Sequence, residues 1–203
     1  MSDRRLICIA GGIGSGKSVV SRVLRLQGFE VYDCDREASR LMESDSSIRE
    51  AIVRDVDHEA YDAEGRIRRK RLAANVFADK RLLLRLNAIV HAAVRMDVAR
   101  RGRRECSAGP LFIESAITAE SGLAEMADEI WLVVTDSEEE RIERVCRRSG
   151  LTRQETKARI EAQRHEYDLL RGYRVKIREI FNDAHHQLIS QIRELVENMK
   201  EVN

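Results

Sequence analysis

One proline, Pro110, occurs among the 203 residues. No proline-rich linker therefore divides the chain, and neither a low-complexity tract nor an internal repeat is present. No Cys-x-x-Cys pair occurs either. Cys8, Cys34, Cys106 and Cys146 lie far apart and read as reduced, mostly packed thiols of a cytosolic protein. No apolar run approaches the roughly 18 residues that a membrane helix needs. No signal segment precedes the first strand pattern, so the expectation is a cytoplasmic protein, neither exported nor membrane-spanning. Net charge of one sign is also missing: the formal balance is +1. Bulk attraction to nucleic acid or to a membrane is thereby excluded, and any anion site must be local. What is there is 43% hydrophobic and 35% charged. That mixture and length suit one soluble α/β domain with a sizeable core and smaller lobes inserted.

The most informative segment is Gly11-Gly12-Ile13-Gly14-Ser15-Gly16-Lys17-Ser18. It fits G-x-x-x-x-G-K-[ST], the phosphate-binding loop of nucleotide enzymes. Leu6 to Ala10 before it is an apolar run of strand type. Val19 to Gln27 after it has helical spacing, with Gly28 as a stop. Free N–H groups and the positive end of the dipole at such a helix start favour a polyanion. Glycines let backbone approach the phosphate oxygens. Lys17 offers a point charge to the β- and γ-phosphates of ATP, and Ser18 a hydroxyl to Mg²⁺.

Strand, loop and helix are followed by a second strand pattern, Phe29 to Tyr32, ending at Asp33-Cys34-Asp35. That βαβ order predicts a parallel sheet whose ligands bind at the carboxyl ends of its strands. Residues 36–102 read as helices without a strong strand, an inserted lobe. Pro110 to Ile113 and Ile130 to Val134 are near-continuous apolar runs, as buried parallel strands should be. A helix is expected from Ser137 to Arg148. Thr152-Arg153-Gln154-Glu155 has capping-box form and starts another. Residues 179–182 read as a short last strand, and Leu188, Ile192, Leu195, Val196 and Met199 as one stripe of a terminal helix.

Several groups in this frame can do chemistry. Asp33 closes a strand beside the phosphate loop, where a carboxylate has little structural work and can accept the proton of an attacking hydroxyl. Asp35 reads equally as a helix N-cap or as a group near a metal. Glu114 ends an apolar strand as an acid that holds Mg²⁺ does, or opens the next segment as a helix-start charge; Glu120 is a weaker candidate. Arg141, Arg144 and Arg148 share one helix face. A solvated face explains such a row, but so does closure over a transferring phosphoryl group, with Arg144 the strongest candidate. The basic runs Arg66, Arg68–Arg71 and Arg100, Arg101, Arg103, Arg104 are solvated surface or phosphate clamps. His91 reads as a packed histidine and Trp131 as core. His185-His186 lacks carboxylate or cysteine spacing, so no zinc is expected.

Together these residues resemble the dephospho-coenzyme A kinases. Gly11 to Ser18 is similar to that family's G-G-I-G-S-G-K-[ST] loop, and Val31 to Asp35 to its V-x-D-A-D segment, which implies that Asp33 is the base. Asn75-Val76-Phe77 and Ile89-Val90-His91 resemble its V-F and I-x-H-P segments. Glu114 to Gly122 resembles D-x-P-L-L-F-E-S-G, with Glu114 and Glu120 on its acids. Arg141 to Thr152 resembles the lid helix, with Arg144 on the phosphate-contacting arginine, and Arg159 to Gln163 the R-I-x-x-Q that follows. The chain departs at Ala92, at Thr118 and Ala119, and after Gln163, where about three extra residues stand, no A-D follows, and Asn182-Asp183-Ala184 lacks the family's glycine.

The resemblance implies a kinase that moves the ATP γ-phosphate to the ribose 3′-hydroxyl of dephospho-CoA. The implied fold is a three-layer P-loop sandwich with a parallel five-stranded sheet. Its nucleotide core would be 1–35, 103–140 and 176–203, with a helical acceptor lobe at 36–102 and a small helical lid at 141–175. The implied nucleotide contacts are Gly11, Gly12, Ile13, Gly14, Ser15, Gly16, Lys17, Ser18, Arg144 and Arg148, with Ser18 and Glu114 on Mg²⁺ and Asp33, Lys17 and Arg144 catalytic. No nucleic acid or membrane partner is expected, and the state is a monomer or small homo-oligomer. Without the resemblance, another small-molecule kinase or a nucleotide-binding regulator has the same loop; no N-K-x-D guanine motif supports a GTPase switch.

Overall fold

The fold was analysed in a computed structural model that describes residues 4–103 and 109–200. Arg104 and Cys106 lie outside the described residues. In chain order the elements begin β1 (Leu6–Ala10), α1 (Lys17–Leu26), β2 (Glu30–Asp33), α2 (Cys34–Ser44), α3 (Ser46–Asp55), α4 (Arg69–Ala78) and α5 (Lys80–Gly102). They continue β3 (Leu111–Glu114), β4 (Glu129–Val134), α6 (Glu138–Ser149), α7 (Arg153–Ala162), α8 (Arg164–Gly172), β5 (Lys176–Phe181) and α9 (Leu188–Lys200). The chain divides into two units, residues 1–32 with 102–203, and residues 33–101.

The first unit carries a five-stranded parallel sheet in the order β2-β3-β1-β4-β5. Register sets Ile9 against Glu114 on β3 and against Trp131 on β4. Ile7 and Ile9 of β1, Phe112 of β3 and Trp131 and Val133 of β4 pack with Val20 and Leu24 of α1 and Ile192, Val196 and Met199 of α9. The apolar stripes of the two helices meet the sheet because side chains at i, i+3 and i+4 share a helix face. Phe112 anchors the aromatic part, with ring centroids 5.0 Å from Trp131 and 5.4 Å from Phe29.

β4 begins one residue before the expected run, at Glu129, which is 3% exposed. Its carboxylate accepts hydrogen bonds from Trp131 Nε1 at 3.0 Å, Arg178 Nε at 2.8 Å and Arg5 Nη2 at 3.1 Å. Three donors make burial of that charge tolerable. β5 is longer than its apolar residues suggest. Lys176, Arg178 and Glu179 give it an edge-strand pattern in which charge discourages further pairing.

The second unit is helical apart from one antiparallel bridge, Tyr61 to Ile67. Ion pairs with buried carboxylates organise it. Glu37 receives Arg40 Nε at 2.7 Å and Arg101 Nη2 at 2.7 Å, and Asp97 receives Arg40 Nη2 at 3.2 Å as well as Arg100. Asp57 receives Arg71 Nε at 3.0 Å and Asn75 Nδ2 at 2.7 Å. Much of the basic sequence is thus neutralised locally: Arg66 pairs with Asp62 and Glu64, and Arg69 with Glu43.

These pairs make an acid-sensitivity prediction. Burial raises the Glu37 carboxyl, but the Arg40 hydrogen bond and the charges of Arg101, Arg40 and Arg36 outweigh it and hold it below its ordinary value. At Asp57, burial is likewise outweighed by Arg71, the Glu59 amide and Asn75. A carboxyl lowered in the folded state stabilises above its unfolded value, and that stability is lost as pH falls through the folded one. Thermal unfolding of the wild type is expected to drop steeply below about pH 4. Glu37→Gln is expected to unfold at lower temperature at neutral pH and to show a shallower acid slope. Identical acid slopes would remove Glu37 from this role.

Candidate active site

β1 ends buried at Ala10, and the next eight residues turn into α1. Glycine serves the turn for different reasons at Gly16 and Gly12. Gly16, the residue before α1, has φ 99°, and a Cβ there would strike Asn182 Nδ2. At Gly12 the constraint is space alone: a Cβ would collide with Arg141 Nη2 and lie 3.0 Å from Tyr167 Oη. No side chain caps α1. Its leading amides are therefore disposed to bind an anion.

A cavity of about 430 Å³ opens on this loop. Gly14, Gly16, Ser18, Arg144, Arg148 and Asn182 line it. It brings five of the sequence-predicted nucleotide contacts to one place. Ser18 stands exposed on the wall. Lys17 Nζ donates to Gly11 O at 2.6 Å and reaches Gly12 O at 3.4 Å, at the other end of the loop. Glu114 is half-buried at the end of β3, beside the strand that feeds the loop. Ser15 Oγ is buried without a hydrogen-bond partner. Such an orphan is costly unless a ligand completes it. The site can hold phosphates and an oxygen-liganded cation.

A model of the dephospho-CoA kinase family matches residues 5–183. The chain belongs to the dephospho-CoA kinase family. The relative named dephospho-CoA kinase in Porphyromonas gingivalis is 34% identical over 194 residues, which are 96% of this chain and 94% of that one. A crystal structure from Thermus thermophilus superposes with a TM-score of 0.75 at 33% identity, covering 100% of both chains. Dephospho-CoA kinase from Campylobacter jejuni shares the fold, with a TM-score of 0.68 at 19% identity over 98% of both.

In this dephospho-CoA kinase family member, Asp33 is the last residue of β2 and also the N-cap of α2, its Oδ1 accepting the Arg36 amide at 3.1 Å. Asp35 therefore lies inside the first helical turn and is not the N-cap. The strand-end carboxylate does have structural work after all, because the chain turns helical two residues sooner than expected. Arg144 donates to Asn182 O at 2.9 Å and pairs with Glu140 at 3.0 Å. The Thr152–Glu155 capping box forms as expected. Beside His185-His186 the fold supplies what the spacing lacked: ligand atoms of Asp136, Asp183 and His186 lie within 4.8 Å of one another. Asp183, however, already accepts both histidine amides and His186 Nδ1.

Four loop contacts come from residues no local pattern singles out for that part. Asn182 Nδ2 donates to Ser15 O at 2.8 Å. Gln163 Oε1 accepts the Ile13 amide at 2.6 Å, and Tyr167 Oη the Gly12 amide at 2.6 Å. Arg141 Nε donates to Ile13 O at 3.1 Å. Glu166, between Gln163 and Tyr167 in sequence, accepts the amides of Ala119 at 2.6 Å and Glu120 at 3.2 Å. Burial pushes its carboxyl above the ordinary range against the pull of those N–H bonds. Cys8 is buried within β1, the strand that feeds the loop, where desolvation pushes its thiol up to about 12 and leaves it unreactive.

Proposed function

We propose that the chain phosphorylates dephospho-CoA, moving the γ-phosphoryl group of ATP to the ribose 3′-hydroxyl. The observation that carries this reading is the family match, which spans the phosphate loop, Glu114 and the α6 arginines. In the proposed reaction Asp33 takes the proton of the 3′-hydroxyl, whose oxygen attacks the γ-phosphorus while the bond to the ADP oxygen breaks. Its position at a strand's carboxyl end supports that role. Lys17 and the loop amides hold the β- and γ-phosphates, and Arg144 and Arg148 face the cavity as nucleotide contacts.

Ser18 and Glu114 offer hard oxygen donors, which fit Mg²⁺. When bound, that ion offsets negative charge on the phosphates. Residues 36–102 serve as the acceptor lobe and 141–175 as a lid. The lid reading is supported by the hydrogen bond that Arg141 donates to the loop and by those that Gln163 and Tyr167 accept from its amides. Exclusion of water by such a lid suppresses ATP hydrolysis. A cytoplasmic location agrees with the reduced state of Cys8, Cys34 and Cys146. Among the described residues no helix is long and apolar enough to cross a membrane.

The test is ADP production from Mg-ATP with a panel of acceptors: dephospho-CoA, nucleosides, nucleotides and sugars. Dephospho-CoA alone is expected to give stoichiometric transfer. Hydrolysis indifferent to acceptor, or preference for another alcohol, would overturn the reading.

A further inference from the structure

Arg141 presents a guanidinium whose two ends have different fates. Its Nε is fixed on the carbonyl of Ile13, 128 residues away in sequence. Its Nη2 is fully buried and has no hydrogen-bond partner. A buried charged donor left unpaired is among the costliest arrangements a fold can keep. The same nitrogen crowds Gly12, where Tyr167 Oη holds the backbone N–H. Lys17 Nζ reaches the carbonyls of Gly11 and Gly12. Three donors therefore converge on one end of the loop: the Gly12 amide, the Lys17 ammonium and Arg141 Nη2. Arg144 and Arg148 lie instead with Gly14, Gly16 and Ser18 on the cavity at the helix end.

We propose that Arg141 Nη2 and the Gly12 amide together bind the terminal phosphoryl group of the nucleotide, with the Tyr167 hydroxyl giving up that amide when the phosphoryl oxygen arrives. The proposal rests on the kinase reading and adds to it a residue other than Arg144. The helix end of a phosphate loop takes the inner phosphates, and its lysine reaches the outer ones. Arg141 stands with the lysine's partners, so its ligand is the outer group. Pinning of Nε leaves the fork pre-oriented, so little side-chain freedom is lost on binding. A tyrosine hydroxyl is a neutral acceptor on the amide, and a charged phosphoryl oxygen accepts the same bond more strongly.

The test compares binding of Mg-ADP with binding of the non-hydrolysable β,γ-imido analogue of Mg-ATP, by calorimetry, in wild type, Arg141→Gln, Arg141→Lys and Tyr167→Phe. Arg141→Gln is expected to weaken the triphosphate analogue about tenfold to hundredfold, the range for a charged hydrogen bond. Its ADP affinity should stay within about twofold and kcat should fall. Arg141→Lys keeps the charge without the fork and should be intermediate. Tyr167→Phe removes the competing acceptor and should tighten the analogue severalfold with ADP unchanged. Equal weakening of both nucleotides by Arg141→Gln and Arg141→Lys would mean that Arg141 only packs the loop, overturning the proposal. Weaker analogue binding by Tyr167→Phe would overturn the exchange of acceptors. Wild-type protein that binds neither nucleotide would overturn the kinase reading itself.

Discussion

The Asp33→Asn variant is expected to turn over about 10²–10⁴ times more slowly than wild type, the usual worth of a general base. Its affinity for Mg-ATP should be unchanged. The substitution is cleaner than most because of where Asp33 sits. Its carboxylate caps α2 through the Arg36 amide, and asparagine caps helices about as well as aspartate. The amide side chain keeps the capping oxygen and loses only the capacity to take a proton. Unfolding temperature should therefore hold while single-turnover transfer collapses. Asp33→Ala would confound the two effects by removing a cap worth about 1 kcal/mol. A near-normal transfer rate in Asp33→Asn would take the base role away from this residue.

Replacing Lys17 by alanine should lower kcat/KM by about 10²–10³, the loss typical of deleting one donor to a charge-developing oxygen. Lys17 is the first residue of α1, and alanine is the best helix former, so the helix start should survive. The ammonium is a compact point charge held near Gly11 O, whereas a guanidinium is a planar fork. Lys17→Arg should therefore rescue little. Steady-state kinetics with Mg-ATP and dephospho-CoA check both variants, and intact activity in Lys17→Ala would sink the loop assignment.

Much of this arrangement was legible in the sequence where the deciding physics is local. The loop is recognisable because glycine spacing, a preceding apolar run and a following helical period all lie within about twenty residues. Glu114 is marked by the apolar strand it ends, and α7 by its capping box. The sequence puts Asp33 at the strand end but does not disclose its cap, because Asp33 and Asp35 offer the same oxygen and only backbone geometry chooses between them. β5 exceeds its expected length because an edge strand hides its hydrophobic pattern under charges, one of which, Arg178, is matched to Glu129 of its neighbour. Of the residues in α6 to α8 and their junctions that contact the loop, Gln163 lies in a motif that the resemblance picks out. Tyr167 and the pinning of Arg141 had no comparable signal. Their partners lie 155 and 128 residues away, and no periodicity in a helix announces which distant carbonyl or amide it will meet.

Asn182 lends the loop its far support, donating to Ser15 O across 167 residues of sequence. During synthesis the glycine-rich segment is made near the start, and its brace is made near the end. At about 5–20 residues per second, some 10–30 s separate the two. Throughout that interval the nascent chain has the phosphate-binding letters but not the support that Asn182 gives them. The loop therefore receives this support only once β5, which Asn182 directly follows, has been translated.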